Sequence, residues 1–188
     1  MSLVRKQDPT NLVWIDLEMT GLDPRKDVIV QLGLIVTSRD LRVLESYCVD
    51  VWQPDSALSG MVPFVRNMHE KNGLLTRCQQ SSVDLRQAEQ EVMERVCGWC
   101  PYRPVLCGNT IHSDRKFIDA YMPTLAGYLH YRMVDVSSLK VLSQLWQPSA
   151  QYEKSRDAQH DALFDIQQSI NELGHYRSKM FKHTLEPK

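Results

Sequence analysis

The segment Leu12 to Leu17, LVWIDL, and the Glu18 that follows it constrain this chain most. A short apolar run closed by Gly21-Leu22-Asp23-Pro24 predicts a buried strand and then a turn. Asp16 interrupts that run, and Glu18 stands two residues further on. Residues two apart on a strand share a face, so both carboxylates project together from a strand otherwise made of Leu, Val, Trp and Ile. Two carboxylates that close repel, and one is forced toward its protonated form unless a cation lies between them. Mg²⁺ prefers such oxygen ligands. Read alone, the pair fits a solvated strand end equally well.

The rest of the chain supplies a framework for that strand. Val28 to Thr37 and Leu41 to Val51 read as two further strands, so the first three form an antiparallel meander. Pro54 to Gly73 reads as short helices and loops. Val83 to Trp99 has apolar residues at near-helical spacing, with Asp84 in its first turn. Pro104 to Gly108 is a short strand, and Arg115 to Tyr121 a helix stopped by Pro123. Met133 to Val136 is a brief strand, and Ser138 to Trp146 a helix stopped by Pro148. A last helix runs from about Ala158 to Ser178. Three strands followed by alternating helices and strands predict a single α/β domain over 1–188 with a mixed sheet flanked by helices.

Composition narrows the function classes. The 188 residues are 43% hydrophobic, enough for one ordinary core. The 22 basic and 23 acidic residues leave a net charge of −1, which argues against gripping long duplex DNA by charge. No apolar run approaches the ~20 residues of a membrane span. The opening MSLVRKQDPTN carries no signal-peptide core, and five cysteines, an odd number, suit a reducing compartment. The expected location is the cytoplasm, with no membrane partner. Cys97-Gly98-Trp99-Cys100 closes a helix rather than opening one, so the dipole does not activate a thiol there. Small buried residues at a helix end account for it better than redox chemistry or a zinc site with Cys107 and His112.

Further acids complete a pattern. Asp114 follows the string Cys107-Gly108-Asn109 near a helix start, where it could equally be a cap. His160 and Asp165 stand at the start of the last helix, five residues apart. Asp16-x-Glu18, then Asp114, then His160-x₄-Asp165 resembles the DEDDh 3′–5′ exonucleases. The strings WIDLEMTGL from Trp14 to Leu22, CGNTI from Cys107 to Ile111, and HYRMVDVSSLK from His130 to Lys140 resemble the oligoribonuclease family within them. The likeness runs from about residue 10 to residue 180.

That resemblance implies an RNase H-like fold, a homodimer, and 3′-to-5′ cleavage of very short single-stranded RNA. It implies dinucleotides as the preferred substrate, released as 5′-mononucleotides. It implies that Asp16, Glu18, Asp114 and Asp165 hold two divalent ions, Mg²⁺ or Mn²⁺, and that His160 is the general base. Leu22 resembles the leucine that wedges between two bases, and Phe64 stands where the family carries an aromatic, commonly Trp, against a base. His69 matches a histidine near the 3′ nucleotide. Arg132, Ser137 and Lys140 resemble the groups that cap the 5′ phosphate, and Tyr131 a tyrosine given by the partner subunit. Departures from the family pattern are Gln31 where relatives often carry Glu, Phe164 where they often carry an acid, and Thr110, His112 and Ser113. Two alternatives stay open: an exonuclease for longer RNA or DNA 3′ ends, and a catalytically weak nucleic-acid-binding module.

Overall fold

The computed structural model describes residues 6–153 and 161–181. Strands β1 (Leu12–Met19), β2 (Ile29–Thr37) and β3 (Val43–Asp50) form the expected antiparallel meander. β4 (Val105–Gly108) joins β1 in parallel, and β5 (Met133–Asp135) joins β4 in parallel. The sheet order is β3-β2-β1-β4-β5, so the strand carrying Asp16 and Glu18 is central. This is the mixed α/β sheet anticipated above.

Helices cover both faces, and the alternation along β1 decides what each face holds. Val13, Ile15 and Leu17 enter a core with Val92 and Val96 of α4 (Leu85–Trp99) and Phe117 and Ile118 of α5 (His112–Tyr121). Trp14 faces the opposite way, into a core with Val136 of α7 (Val136–Trp146) and Ile166, Ile170 and Tyr176 of α8 (Ala162–Met180). Asp16 and Glu18 continue the Trp14 face, so they lie on the α8 side. Three short helices, α1 (Asp55–Ser59), α2 (Pro63–Lys71) and α3 (Leu74–Gln80), pack a smaller cluster against Val30 at the end of the meander.

Several boundaries differ from the sequence reading, each for a local reason. Gly73, at φ +74, adopts the left-handed backbone that separates α2 from α3, so the helical region extends past it. Pro123 ends α5 but also occupies the first turn of a new helix, α6 (Pro123–Tyr128), where its missing N–H costs nothing. Asp84 is the N-cap of α4, its carboxylate accepting from the Gln87 N–H at 2.8 Å, rather than a residue of the first turn. Asp114 is not a cap: α5 begins at His112, and Asp114 lies inside its first turn. The last helix begins at Ala162, where Asp161 is extended and caps it by accepting from the Phe164 N–H; Ala158, where the sequence reading starts it, lies outside the described residues.

Gly33 on β2 pairs with Asp16 and sets how near α8 can come. A Cβ there would lie 2.8 Å from the Ala162 Cβ and 3.1 Å from the Ile166 Cδ1. The start of α8 therefore rests directly on the strand backbone. Gly33→Ala is expected to destabilise the fold by about 1–3 kcal/mol through overpacking, read as a lowered denaturant midpoint. An unchanged midpoint would show that α8 does not sit this close.

Candidate active site

Two elements bring the acids together. Asp16 and Glu18 come from the end of β1, and Asp165 comes from the first turn of α8. One oxygen from each of the three lies within 4.8 Å of the others. Among the described residues this trio is where side chains of metal-ligating type gather. The cysteines Cys97, Cys100 and Cys107 form no such group with His112, and burial pushes the Cys100 thiol up to about 12.

Glu18 and the neighbouring Asp114 are hidden enough from water to be electrostatically costly, while Asp16 and Asp165 are half-buried. Glu18 is only 9% exposed. Burial, then the charges of Asp165, Asp114 and Asp161, push its carboxyl up to about 8. Asp114 is buried too, and burial raises it to about 7 against the hydrogen bonds it accepts. One of those comes from the Leu17 N–H at 3.0 Å, midway between Asp16 and Glu18. Asp114 therefore clamps the end of β1 from beside the trio, and its charge reaches Glu18. The donor set is all oxygen and carries more negative charge than a buried site tolerates alone. It fits hard divalent cations.

The sequence-predicted substrate residues divide into three places. Leu22 and Phe64, 80% and 77% exposed, line one cavity of about 810 Å³ together with Glu18, Val62 and Met68. Phe64 also borders a second cavity, which Asp50, Arg77 and Lys71 line. His69 is fully buried, with its Nε2 at 2.9 Å from the Met19 carbonyl oxygen. It braces the strand end just past Glu18 and offers no open ring. Ser137 and Lys140 belong to α7, at the carboxyl end of β5, the same end of the sheet as the acids. Ser137 Oγ donates to Asn109 Oδ1 at 3.1 Å and accepts from the Thr110 N–H at 2.9 Å.

Tyr131 and Arg132 lie elsewhere. They precede β5, at the amino end of the parallel strands, whereas the acids follow the carboxyl end of β1. Tyr131 stacks on His130 at 4.5 Å between centroids, with the Arg132 Cζ 5.2 Å from its own ring centroid, and it is 70% exposed. The fold does not bring this pair to the acids of its own chain. His160 lies outside the described residues.

Some residues that support the site were not singled out for it from the sequence. Asn109 donates to Ser169 Oγ at 2.9 Å and to Glu172 Oε2 at 3.0 Å, and the Tyr176 hydroxyl donates to the other Glu172 oxygen at 3.1 Å. Glu172 is fully buried, so this network ties the end of β4 to the middle of α8. The Cys107-Gly108-Asn109 string carried that signal, but its partner lay more than sixty residues away. Gln31, noted only as a departure, is buried with both ends of its amide hydrogen-bonded. Phe164 leaves the trio intact, since Asp165 is the residue that reaches β1.

Comparison with known proteins agrees with this geometry. The Exonuclease (RNase T) family matches residues 13–173. Proteins named oligoribonuclease from Ectopseudomonas mendocina and Pseudomonas aeruginosa strain PAO1 are each 43% identical over 178 residues, covering 94% of this chain and 99% of theirs. One from Francisella tularensis is 41% identical over 176 residues, covering 93% and 98%. Among solved structures, Escherichia coli exonuclease I in complex with a 5cy-dT13 oligonucleotide superposes with a TM-score of 0.71 at 13% identity, over 92% of this chain and 42% of that one. Exonuclease I from Methylocaldum szegediense gives 0.68 at 16% identity, over 90% and 41%. At such identities the likeness is one of fold, and this chain spans about two-fifths of those longer proteins. With matched segments covering β1 through most of α8, the chain belongs to the oligoribonuclease family of exonucleases.

Proposed function

We propose that this protein is a 3′-to-5′ exoribonuclease that hydrolyses very short RNA, dinucleotides above all, to 5′-mononucleotides, with residues 1–188 acting as one exonuclease domain. The observation that carries this is the meeting of Asp16, Glu18 and Asp165 within 4.8 Å beside a cavity flanked by Leu22 and Phe64. Asp16, Glu18 and Asp165 would hold two divalent ions, Mg²⁺ or Mn²⁺, with Asp114 completing the acid set. When bound, such ions neutralise the phosphodiester and lower the pKa of a water. His160 would serve as the general base toward the attacking water, a role suited to imidazole near neutral pH. The exposed side chains of Leu22 and Phe64 separate and stack the two bases, stacking being worth ~1–3 kcal/mol per base. His69 holds the Met19 backbone, and so Glu18, in place under the 3′ nucleotide. Ser137 and Lys140 meet the 5′ phosphate.

The remaining groups call for a second copy of the chain. Tyr131 is up to roughly 13 Å of extended chain from Asp135, at the wrong end of the sheet for its own acids. In a homodimer, Tyr131 and Arg132 reach the site of the other subunit. Val141, Leu145 and Trp146 are exposed along α7, the helix after edge strand β5, and give that dimer an apolar face. Five free cysteines suit the cytoplasm as its place of work.

The first test incubates the purified protein with 5′-labelled RNA of two and seven nucleotides, with Mg²⁺ or with EDTA. Metal-dependent cleavage much faster on the dinucleotide is expected. Equal or faster cleavage of the seven-mer would replace this reading by an exonuclease for longer strands, and no cleavage by a binding module. Asp114→Asn, beside the trio, is expected to lose roughly 10–100-fold in rate.

The dimer is tested separately. Trp146→Glu with Leu145→Asp is expected to shift sedimentation from the dimer to the 21.8 kDa monomer and to abolish dinucleotide cleavage. A fully active monomer would refute a contribution in trans.

The pH dependence follows from the raised carboxyls. In the metal-free fold, burial and neighbouring acids push the Glu18 carboxyl up to about 8, and burial pushes that of Asp114 up to about 7, from ordinary values of 4.5 and 3.8. The native state thus binds protons the unfolded chain has released, a stabilisation present in full below pH 4 and lost as pH rises toward 8. The melting temperature in EDTA is expected to fall from pH 5 to pH 8 relative to Glu18→Gln. Mn²⁺ is expected to restore it most at pH 8. A metal-free protein that gains on Glu18→Gln across that window would contradict the burial of these charges.

A further inference from the structure

We infer that Gln31 is a positioning residue for the active site: its amide, held between Asp50 and the first N–H of α8, sets where α8 begins and so where Asp165 meets β1. The inference rests on the metal-dependent site proposed above and adds a part to it.

Gln31 lies on β2, paired with Glu18 of β1 on one side and Asp50 of β3 on the other. It is only 2% exposed, and a buried amide is stable only when both its ends are satisfied. Its Oε1 accepts from the Ala162 N–H at 3.1 Å, and its Nε2 donates to Asp50 Oδ1 at 2.7 Å. Asp50 Oδ2 in turn accepts from Arg77 Nε at 2.9 Å. A continuous chain of hydrogen bonds thus runs from α3 across the sheet to the first turn of α8.

The first N–H groups of a helix have no acceptor within the helix, so whatever accepts from them decides where it starts. Here Gln31 takes the N–H of Ala162 and Asp161 takes that of Phe164. The helical ladder then begins with the Asp165 N–H donating to the Asp161 carbonyl at 2.9 Å. Asp165 is therefore one turn from a point pinned to the strand that also pairs with Glu18. A side chain at this position has to accept on one side and donate on the other, which an amide does and a carboxylate does not. Glutamate here would set two carboxylates, its own and that of Asp50, at hydrogen-bond distance. The Arg77–Asp50 pair is partly exposed, so its contribution is to orient Asp50 rather than to stabilise the fold by charge.

Two variants separate positioning from mere stability. Gln31→Met removes both hydrogen bonds at nearly constant volume. It is expected to lower kcat on the dinucleotide roughly 10–100-fold with KM unchanged, and to weaken Mn²⁺ binding, titrated calorimetrically without RNA, by about tenfold. The double variant Gln31→Glu with Asp50→Asn reverses donor and acceptor. The introduced carboxylate would accept from both the Ala162 N–H and the new amide, whose oxygen would still accept from Arg77, at unchanged net charge. This double variant is expected to keep kcat and Mn²⁺ affinity at the wild-type level. A Gln31→Met protein that melts lower but keeps kcat and Mn²⁺ affinity overturns the inference. So does a folded double variant that loses both. Since Mn²⁺ titration needs no substrate, a wild type that binds Mn²⁺ but leaves RNA uncut would sink the proposed function, while the Mn²⁺ affinities of the two variants would still support or overturn this inference.

Discussion

Carboxylates that crowd together away from water repel one another strongly, and the elements around β1 are arranged to hold them against that repulsion. Asp16, Glu18 and Asp165 lie within 4.8 Å, with Asp114 and Asp161 near enough for their charges to be felt at Glu18. Left to itself such a cluster protonates or moves apart. Its persistence requires a scaffold stiff enough to hold the acids in place, and a cation would relieve the repulsion without a proton. The scaffold is the central strand of a five-stranded sheet, which cannot shift without disturbing neighbours on both edges. The cation is what the oxygen-only donor set selects.

The surrounding polar groups act as struts for that cluster. Asp114 accepts from the backbone between the two β1 acids, and His69 sits on the carbonyl just beyond them. Gln31 and Asp161 between them hold the first turn of α8, and Gly33 lets that turn lie against the strand. Asn109, Glu172 and Tyr176 lock α8 further along, with every partner in the network buried or half-buried. Each strut joins elements distant in sequence. A metal site built on two such elements is only as accurate as the contacts between them.

Polarity along the sheet shapes the substrate side. The acids, Ser137 and Lys140 collect at the carboxyl end of the parallel strands, while Tyr131 and Arg132 lie at the amino end. One chain thus presents its acids at one end of the sheet and an exposed aromatic and basic pair at the other. Exposed Leu22 and Phe64 beside the acids, and exposed Leu145 and Trp146 on α7, are apolar surfaces of the kind that find partners.

Much of this was legible in the order of residues alone. The period-two pattern of β1 placed Asp16 and Glu18 on one face of a buried strand, and the spacing to Asp114 and Asp165 pointed to the exonuclease family. Strand and helix identities followed because hydrophobic periodicity is a local property. Helix starts were less legible: α8 begins at Ala162 because Gln31, more than a hundred residues earlier, accepts its first N–H. Gln31 itself read as a departure from the family pattern, since its meaning lies in Asp50 and Ala162 rather than in its neighbours. Which residues carry charge, and on which face of each element they stand, follows from their order along the chain. Which carboxylates converge, how far burial raises Glu18 and Asp114, and that Tyr131 lies away from its own acids depend on long-range packing and on desolvation that no local pattern encodes.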